Sequence, residues 1–239
     1  MMAKAPEPTG LELVDGLTSM KRPTIEDYCR ASAEYIRRAT ELGSKKGKAA
    51  QIRLSNALAQ VTLDDLRDLE VGLDDAVAGE REVGGGLRNV KADVSETSEI
   101  HGLTLAVEIK PVHLAVGRAI WNRFGDVRTF AVNVHLKFPF AVVGGILTLP
   151  TTERVRSGDD TDWKSTSHLV SRAVARFVRA GGRETEGDAP HLLEGIAVIA
   201  FDRETGAIEP DLPPVSSGLR WDEFIDSMAE AYVARFGEA

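Results

Sequence analysis

The sequence LTLAVEIK, residues 103–110, has the composition of a buried β-strand and is bounded by His101-Gly102 and Pro111. Side chains alternate between the two faces of a strand, so Glu108 and Lys110 share one face. Burying charge is costly unless the charge is paired or binds a metal. The two charged residues therefore indicate either a structural ion pair at the end of a strand or part of a metal-dependent site.

A second alternating segment, residues 89–95, precedes this strand and carries an acidic residue. If His101-Gly102 forms a two-residue hairpin turn, Asp93 lies opposite Lys110. A register slip of two residues would place Asp93 opposite Glu108 and keep the three side chains together, whereas a slip of one would separate them. We therefore expect Asp93, Glu108 and Lys110 to converge on one face of a hairpin.

This pattern, an acidic residue on one strand and Glu-x-Lys on the next, resembles the active site of the PD-(D/E)XK nuclease superfamily. Asp93, Glu108 and Lys110 match the motif, with Ala92 rather than proline before the aspartate, and the matching core covers roughly residues 88–150. The resemblance implies an α/β fold, with a restriction-endonuclease-like central mixed sheet flanked by helices and an N-terminal helical region.

The activity that the resemblance implies is hydrolysis of phosphodiester bonds by a homodimeric nuclease of a restriction or defence type, acting on DNA with Mg²⁺ or Mn²⁺. Asp93, Glu108 and the carbonyl of Ile109 would hold the ion, since hard cations prefer oxygen ligands. Lys110 would orient the attacking water and offset charge in the transition state. Many members of the superfamily carry a further acid on a helix before the sheet. Glu70 is a candidate for it, unless its side chain only lies at the edge of an apolar helix face.

Two groups of basic residues are candidates for contact with nucleic acid. They are Arg172, Arg176 and Arg179, which recur along one face of a predicted helix, and Lys45, Lys46 and Lys48, at the start of an earlier one. Cations near a helix N-terminus oppose the helix dipole, so the lysines need another reason to be there. The alternatives are pairing with acids elsewhere in the fold for the arginines and a solvated helix face for the lysines.

Composition leaves two other hypotheses open. The chain has 239 residues, a net charge of −8 and one cysteine, which excludes an intramolecular disulfide. The acidic charge counts against a simple DNA binder, because phosphate contacts need Lys and Arg. Together with the absence of a clear DNA-reading motif, it favours a second hypothesis, a non-catalytic nucleic-acid-binding or regulatory protein on the same scaffold. The third hypothesis is an unrelated α/β protein with a structural ion pair. The start lacks the apolar core of a signal peptide and no apolar run is long enough to span a bilayer, so we expect a cytoplasmic protein with no membrane partner.

The predicted organisation is a flexible lead (1–22), a helical region (23–80) and an α/β core with a C-terminal helix (81–239). In the helical region we predict a helix at 24–42, which begins with a capping box of Thr24 and Asp27, a second helix at 44–61 and a third beginning at Thr62. The elements predicted after the hairpin are a helix at 114–124, strands at 129–136 and 140–149, a polar loop at 150–163, a helix at 165–180, a strand at 194–202 and a helix at 221–236.

Overall fold

The computed structural model describes residues 9–157 and 160–237. Within them, the helices are α1 (Glu12–Leu17), α2 (Ile25–Arg38), α3 (Ser44–Arg67), α4 (Val116–Lys137), α5 (Ser167–Phe177) and α6 (Trp221–Phe236). The strands are β1 (Val77–Val83), β2 (Val90–Ser98), β3 (Gly102–Pro111), β4 (Val142–Pro150), β5 (Thr152–Ser157), β6 (Asp160–Ser165) and β7 (Gly195–Phe201). None of these helices combines the length and apolar character needed to cross a bilayer.

The main sheet is mixed and has the strand order β1-β2-β3-β4-β7. Strand β2 runs antiparallel to both β1 and β3, whereas β3, β4 and β7 run parallel to one another. Helix α4 makes the crossover from β3 to β4 that a parallel pair requires. Strands β4 and β7 are buried along their whole length, as expected for parallel strands covered on both faces. Strands β5 and β6 form a separate two-stranded ribbon.

Helices cover both faces of the main sheet, and the core consists of two clusters that the sheet separates. Leu105, Val107 and Ile109 of β3 pack in the cluster formed with α1, α2, α3 and α6. Ala106 packs in the cluster formed with α4 and α5. The predicted α/β class, with a mixed sheet flanked by helices, is confirmed.

The alternation predicted for residues 103–110 is interrupted by a β-bulge. Glu96 lies opposite Leu105 and Thr97 opposite Leu103, so Thr104 is an extra residue on β3. The hydroxyl of Thr104 donates to the Glu96 carboxylate at 2.7 Å. Because of this bulge, Leu103 packs in the α4–α5 cluster and not beside Leu105.

Helix α4 is longer than the sequence suggests, and the strand predicted at 129–136 is wrong. Val127, Phe130, Ala131 and Val134 are buried within one continuous helix. Their spacing of three and four residues is the helical period, which the many β-branched residues of this segment concealed. Gly125, at which we expected the helix to end, lies inside it.

Helix α3 is also continuous across the boundary predicted at Thr62. The Thr62 hydroxyl donates to the carbonyl of Leu58, four residues earlier, at 2.8 Å, so it bonds within the helix and does not cap a new one. The capping box predicted at the start of α2, formed by Thr24 and Asp27, is confirmed.

Two predicted irregular segments contain ordered elements. The predicted lead contains α1, with Leu11, Val14 and Leu17 buried in the core. The Glu34 carboxylate on α2 accepts from backbone N–H groups at the start of α1, which local sequence could not indicate. Residues 1–8 of the lead lie outside the described residues. Most of the loop predicted at 150–163 is ordered as strands β5 and β6, and residues 158–159 lie outside the described residues.

Candidate active site

The hairpin formed by β2 and β3 brings Asp93, Glu108 and Lys110 to one place. Val94 lies opposite Val107, so the next pair along the ladder is Asp93 and Glu108. The backbone N–H of Ile109 donates to Asp93 Oδ2 at 2.7 Å. All three predicted side chains line one cavity of about 410 Å³.

The pairing of β2 with β3 near Asp93 differs by two residues from the pairing that a two-residue turn would give. Ser98 lies opposite Gly102, so residues 99–101 form a three-residue loop, and the Thr104 bulge then moves the pairing back by one. A net slip of two keeps the side chains on the same face, because the side-chain period of a strand is two. The predicted convergence is therefore confirmed, although the predicted pairing of Asp93 with Lys110 is wrong.

Glu108 is held in conditions that oppose its ionisation. Its side chain is largely buried, and this burial raises the pKa of Glu108 to about 7. The Lys110 ammonium forms an ion pair with Glu108 and opposes the rise, whereas the charge of Asp93 adds to it. Burial likewise raises the pKa of Asp93, against the effect of the Ile109 N–H. The Lys110 ammonium thus stands beside two carboxylates, those of Asp93 and Glu108.

A bulge in β1 adds a third acid that the sequence did not reveal. Ala78 lies opposite Val94 and Arg81 opposite Ala92, so Gly79 and Glu80 together face Asp93. Gly79 has a φ of 119°, a conformation that favours glycine. Glu80 lines the cavity, and its charge raises the pKa of Asp93. The one local signal for this bulge is a glycine within an otherwise alternating segment.

The wall of the cavity opposite the strands comes from α4. Asp126 and Phe130 line it, and the charge of Asp126 contributes to the raised pKa of Glu108. Asp126 was missed because we expected the helix to end there. The site therefore collects more negative charge than the predicted pair of acids.

The segment Gly84-Gly85-Gly86 fixes the end of the β1–β2 hairpin against α4. Gly86 N–H donates to the Asn133 carbonyl at 2.8 Å, and the N–H groups of Leu87 and Arg88 donate to the Asn133 side chain at 3.3 and 3.0 Å. A Cβ on Gly85 would lie 2.9 Å from that of Asn133, which is too close. This docking places the residues after the glycines, among them Arg88, at the cavity.

A second cavity, of about 610 Å³, adjoins the first and shares Glu80, Asp93 and Lys110 with it. Lys48 of α3 and Arg123 of α4 also line it. The two cavities together form a groove, in which acidic residues outnumber basic ones in the first cavity and basic residues outnumber acidic ones in the second.

Buried aromatic residues support the inner wall of the second cavity. His113 lines the cavity and is buried, which lowers its pKa to about 4, so its ring is neutral near pH 7. The Tyr28 hydroxyl lies 3.4 Å from His113 Nε2 and 2.8 Å from Thr148 Oγ1. These contacts fix the end of β3, where Lys110 is located.

The structure brings only some of the other predicted residues to this groove. Lys48 lines the second cavity, whereas Lys45 and Lys46 are exposed and line neither cavity. Glu70 is exposed beyond the C-terminal end of α3, at a φ of 52°, and also lines neither. It is not on a helix, because α3 ends at Arg67.

The three predicted arginines lie apart from the carboxylates, Arg172 and Arg176 on α5 and Arg179 just after its end. Arg172 and Arg176 stack on Trp121 of α4, with guanidinium carbons 5.1 and 4.1 Å from the ring centroid. Within the described part of the chain, neither these two nor Arg179 forms an ion pair with an acid. The described residues therefore do not support the alternative that these arginines pair with acids elsewhere in the fold.

The donor set at the carboxylates fits a hard divalent cation only in part. The described residues contain no group of three or more His, Cys, Asp or Glu side chains placed to hold a metal ion. Asp93 and Glu108 remain as two carboxylates whose raised pKa values reflect unfavourable negative charge, which a cation would relieve. Backbone oxygens and water are the usual further ligands of such an ion.

Comparisons of the chain with protein-family models, with curated proteins and with solved structures found no match. The resemblance to the PD-(D/E)XK superfamily therefore remains a prediction. It depends on Asp93, Glu108 and Lys110 and on the mixed sheet that carries them.

Proposed function

We propose that the chain is a divalent-metal-dependent nuclease that hydrolyses phosphodiester bonds in DNA on a restriction-endonuclease-like core. The observation that supports the proposal is that Asp93, Glu108 and Lys110 line one cavity at the end of β3. Two carboxylates and a lysine on adjacent strands are the arrangement that the resemblance requires. The proposal includes a homodimer, which the mass of the protein in solution would test.

Asp93 and Glu108 would hold Mg²⁺ or Mn²⁺, with the carbonyl of Ile109 as a third ligand. Their raised pKa values support this role, because a site that opposes two negative charges gains most from a cation. A divalent ion bound there supplies Lewis-acid polarisation of the phosphate and a more acidic water.

The chain's own groups have separate tasks in this proposal. Lys110 borders both cavities, where its ammonium would orient the attacking water and stabilise the negative charge that develops on the phosphate. Water adds to phosphorus as one P–O ester bond breaks, and the leaving oxygen takes a proton. Lys48 and Arg123 would contact neighbouring phosphates, since backbone contacts position a nucleic acid.

A second candidate is a non-catalytic nucleic-acid-binding or regulatory protein on the same scaffold. The ion pair between Lys110 and Glu108 favours it, because this lysine already compensates one of the two carboxylates. The net charge of −8 favours the regulatory form of this candidate, because it opposes tight binding of nucleic acid away from local basic patches.

The test combines Mn²⁺ calorimetry with cleavage of plasmid DNA and of RNA, using Asp93→Asn, Glu108→Gln and Lys110→Ala. We expect cleavage to fall at least ~100-fold in all three, whereas Mn²⁺ affinity falls only in the two carboxylate variants, because an ammonium is not a metal ligand. Glu82→Gln is the matched control, since Glu82 lines the same cavity but is not a proposed ligand.

Two results would contradict the nuclease proposal. A wild-type protein that neither binds Mn²⁺ nor cuts DNA or RNA would favour the binding protein. Cleavage that survives Glu108→Gln would place the chemistry elsewhere in the chain.

A further inference from the structure

A third cavity, of about 400 Å³, lies between α4 and α5, and arginines dominate its lining. The lining residues are Phe124, Arg128, Arg176, Arg179 and Ala180. None of them lines the two cavities at the carboxylates. Anything bound here therefore contacts a different surface of α4 from the one that faces Glu108.

Aromatic rings hold two of the three arginines of this cavity in place. Arg176 stacks on Trp121, and the guanidinium carbon of Arg128 lies 5.7 Å from the centroid of Phe124. Phe124 in turn packs edge-on against the buried ring of Phe177, with centroids 4.9 Å apart. Stacking engages the flat face of a guanidinium and leaves its N–H edges available for an acceptor.

The guanidinium groups lack internal compensation. In the described part of the chain, no acidic residue forms an ion pair with Arg128, Arg176 or Arg179. Arg128 Nε is buried and makes no hydrogen bond, which is costly for a donor. Arg179 Nε donates to the Ala175 carbonyl at 3.1 Å, a neutral acceptor. Three like charges therefore share one cavity in a chain whose net charge is −8.

We infer that Arg128, Arg176 and Arg179 form a binding pocket for a phosphate group, separate from the carboxylate site. A phosphate offers several acceptor oxygens to forked guanidinium donors and carries the charge that three cations favour. A cavity of this size also admits a group attached to the phosphate. The phosphate comes either from a small phosphorylated molecule or from a nucleic-acid backbone. The inference stands whether or not the carboxylate site cleaves nucleic acid.

The experiment measures binding of three probes by heteronuclear NMR titration at low salt: inorganic phosphate, adenosine 5′-monophosphate and a single-stranded DNA 12-mer. The variants are Arg128→Gln, Arg176→Gln and, as the matched control, Arg172→Gln. Arg172 stacks on the same Trp121 one turn earlier in α5 but does not line the cavity. Arg172 and Arg176 are both exposed, so these two variants are expected to fold equally well.

We expect saturable binding of at least one probe, weakened about tenfold by Arg128→Gln and by Arg176→Gln and less than twofold by Arg172→Gln. If phosphate and the mononucleotide bind and the 12-mer does not compete with them, the cavity is a small-molecule site. Displacement of both by the 12-mer would identify a backbone phosphate as the source.

Two outcomes would overturn the inference. One is the absence of saturable binding for every probe. The other is an equal loss in Arg172→Gln and Arg176→Gln, which would show diffuse attraction to a basic surface and not a built pocket. Either result is independent of whether Asp93→Asn abolishes cleavage, so the two proposals can fail separately.

Discussion

Glu108 and Glu194 are both buried acids, each 8% exposed as a whole residue, but their surroundings are opposite. Glu194 lies 3.2 Å from Arg183 Nε, 2.7 Å from Arg235 Nη1 and 3.3 Å from His135 Nε2. It also accepts from a backbone N–H of β4 at 2.8 Å. Two arginines and a backbone N–H therefore surround the Glu194 carboxylate.

Glu108, in contrast, has one lysine, a neighbouring carboxylate and an open cavity. Asp93 and Asp126 both raise its pKa, and only Lys110 opposes them. The difference separates a buried acid that stabilises the fold from one whose placement costs stability. An acid of the second kind in a cavity is a candidate for function, because the fold alone gives no reason to keep it.

The largest expected effect comes from breaking the cluster that Glu194 forms with Arg183, Arg235 and His135. Glu194→Gln should destabilise the protein by about 3–5 kcal/mol, because it removes the carboxylate that the buried Arg183 and the partly buried Arg235 share. Urea unfolding at pH 7.5 measures this change. A loss below ~1 kcal/mol would show that the cluster contributes little and would remove the contrast with Glu108.

Glu108→Gln, in contrast, should stabilise the folded protein when no metal is present. The pKa of Glu108 is raised from its ordinary value of 4.5 to about 7, so the folded state holds its proton more tightly than the unfolded state. Stability therefore falls as the pH rises from 4.5 to 7, and the variant avoids this loss. At pH 8 we expect a gain of at most ~3 kcal/mol, reduced by the lost pairing with Lys110.

Unfolding midpoints in EDTA between pH 4 and pH 8 test this prediction. The gain should disappear below the ordinary pKa of a glutamate. A Glu108→Gln protein that is less stable than wild type at pH 8 would place Glu108 with Glu194 as a structural acid.

The smallest effect is expected from Asp126→Asn. Asp126 is exposed, forms an ion pair with Arg123 at 3.0 Å and raises the pKa of Glu108. Its removal should lower the pKa of Glu108 and change stability by less than ~0.5 kcal/mol. An NMR titration of Glu108 measures the shift, with the exposed Asp222→Asn on α6 as control. A higher or unchanged pKa would show that Asp126 does not act on the site.

The parts of the fold that were predicted depend on local signals. The apolar strand before Lys110 and the boundaries of α6 follow from side-chain period, and the capping box of α2 follows from Thr24 and Asp27. We divided helix α4 in error because Gly125 and several β-branched residues have a low helix propensity. This propensity is a weak local signal, and burial of one helix face in the core overrides it.

The convergence of three side chains was predicted, but the further acids of the cavity and part of its geometry were not. Asp93, Glu108 and Lys110 converge because their common face survives a slip of two residues. The loop at 99–101 and the Thr104 bulge depend on pairing across strands, which one strand's sequence does not determine. Glu80 reaches the cavity only through the Gly79 bulge, so its position depends on the fold and not on a motif.

The glycines at 85 and 86 have a consequence for how this sequence can vary. Both positions lie on a hairpin tip, where substitutions are usually tolerated. Here any side chain would collide with Asn133 or Leu136 and push the tip away from α4. A mutational scan should therefore find these two positions among the least permissive on an otherwise exposed hairpin, although neither glycine contributes a functional group of its own.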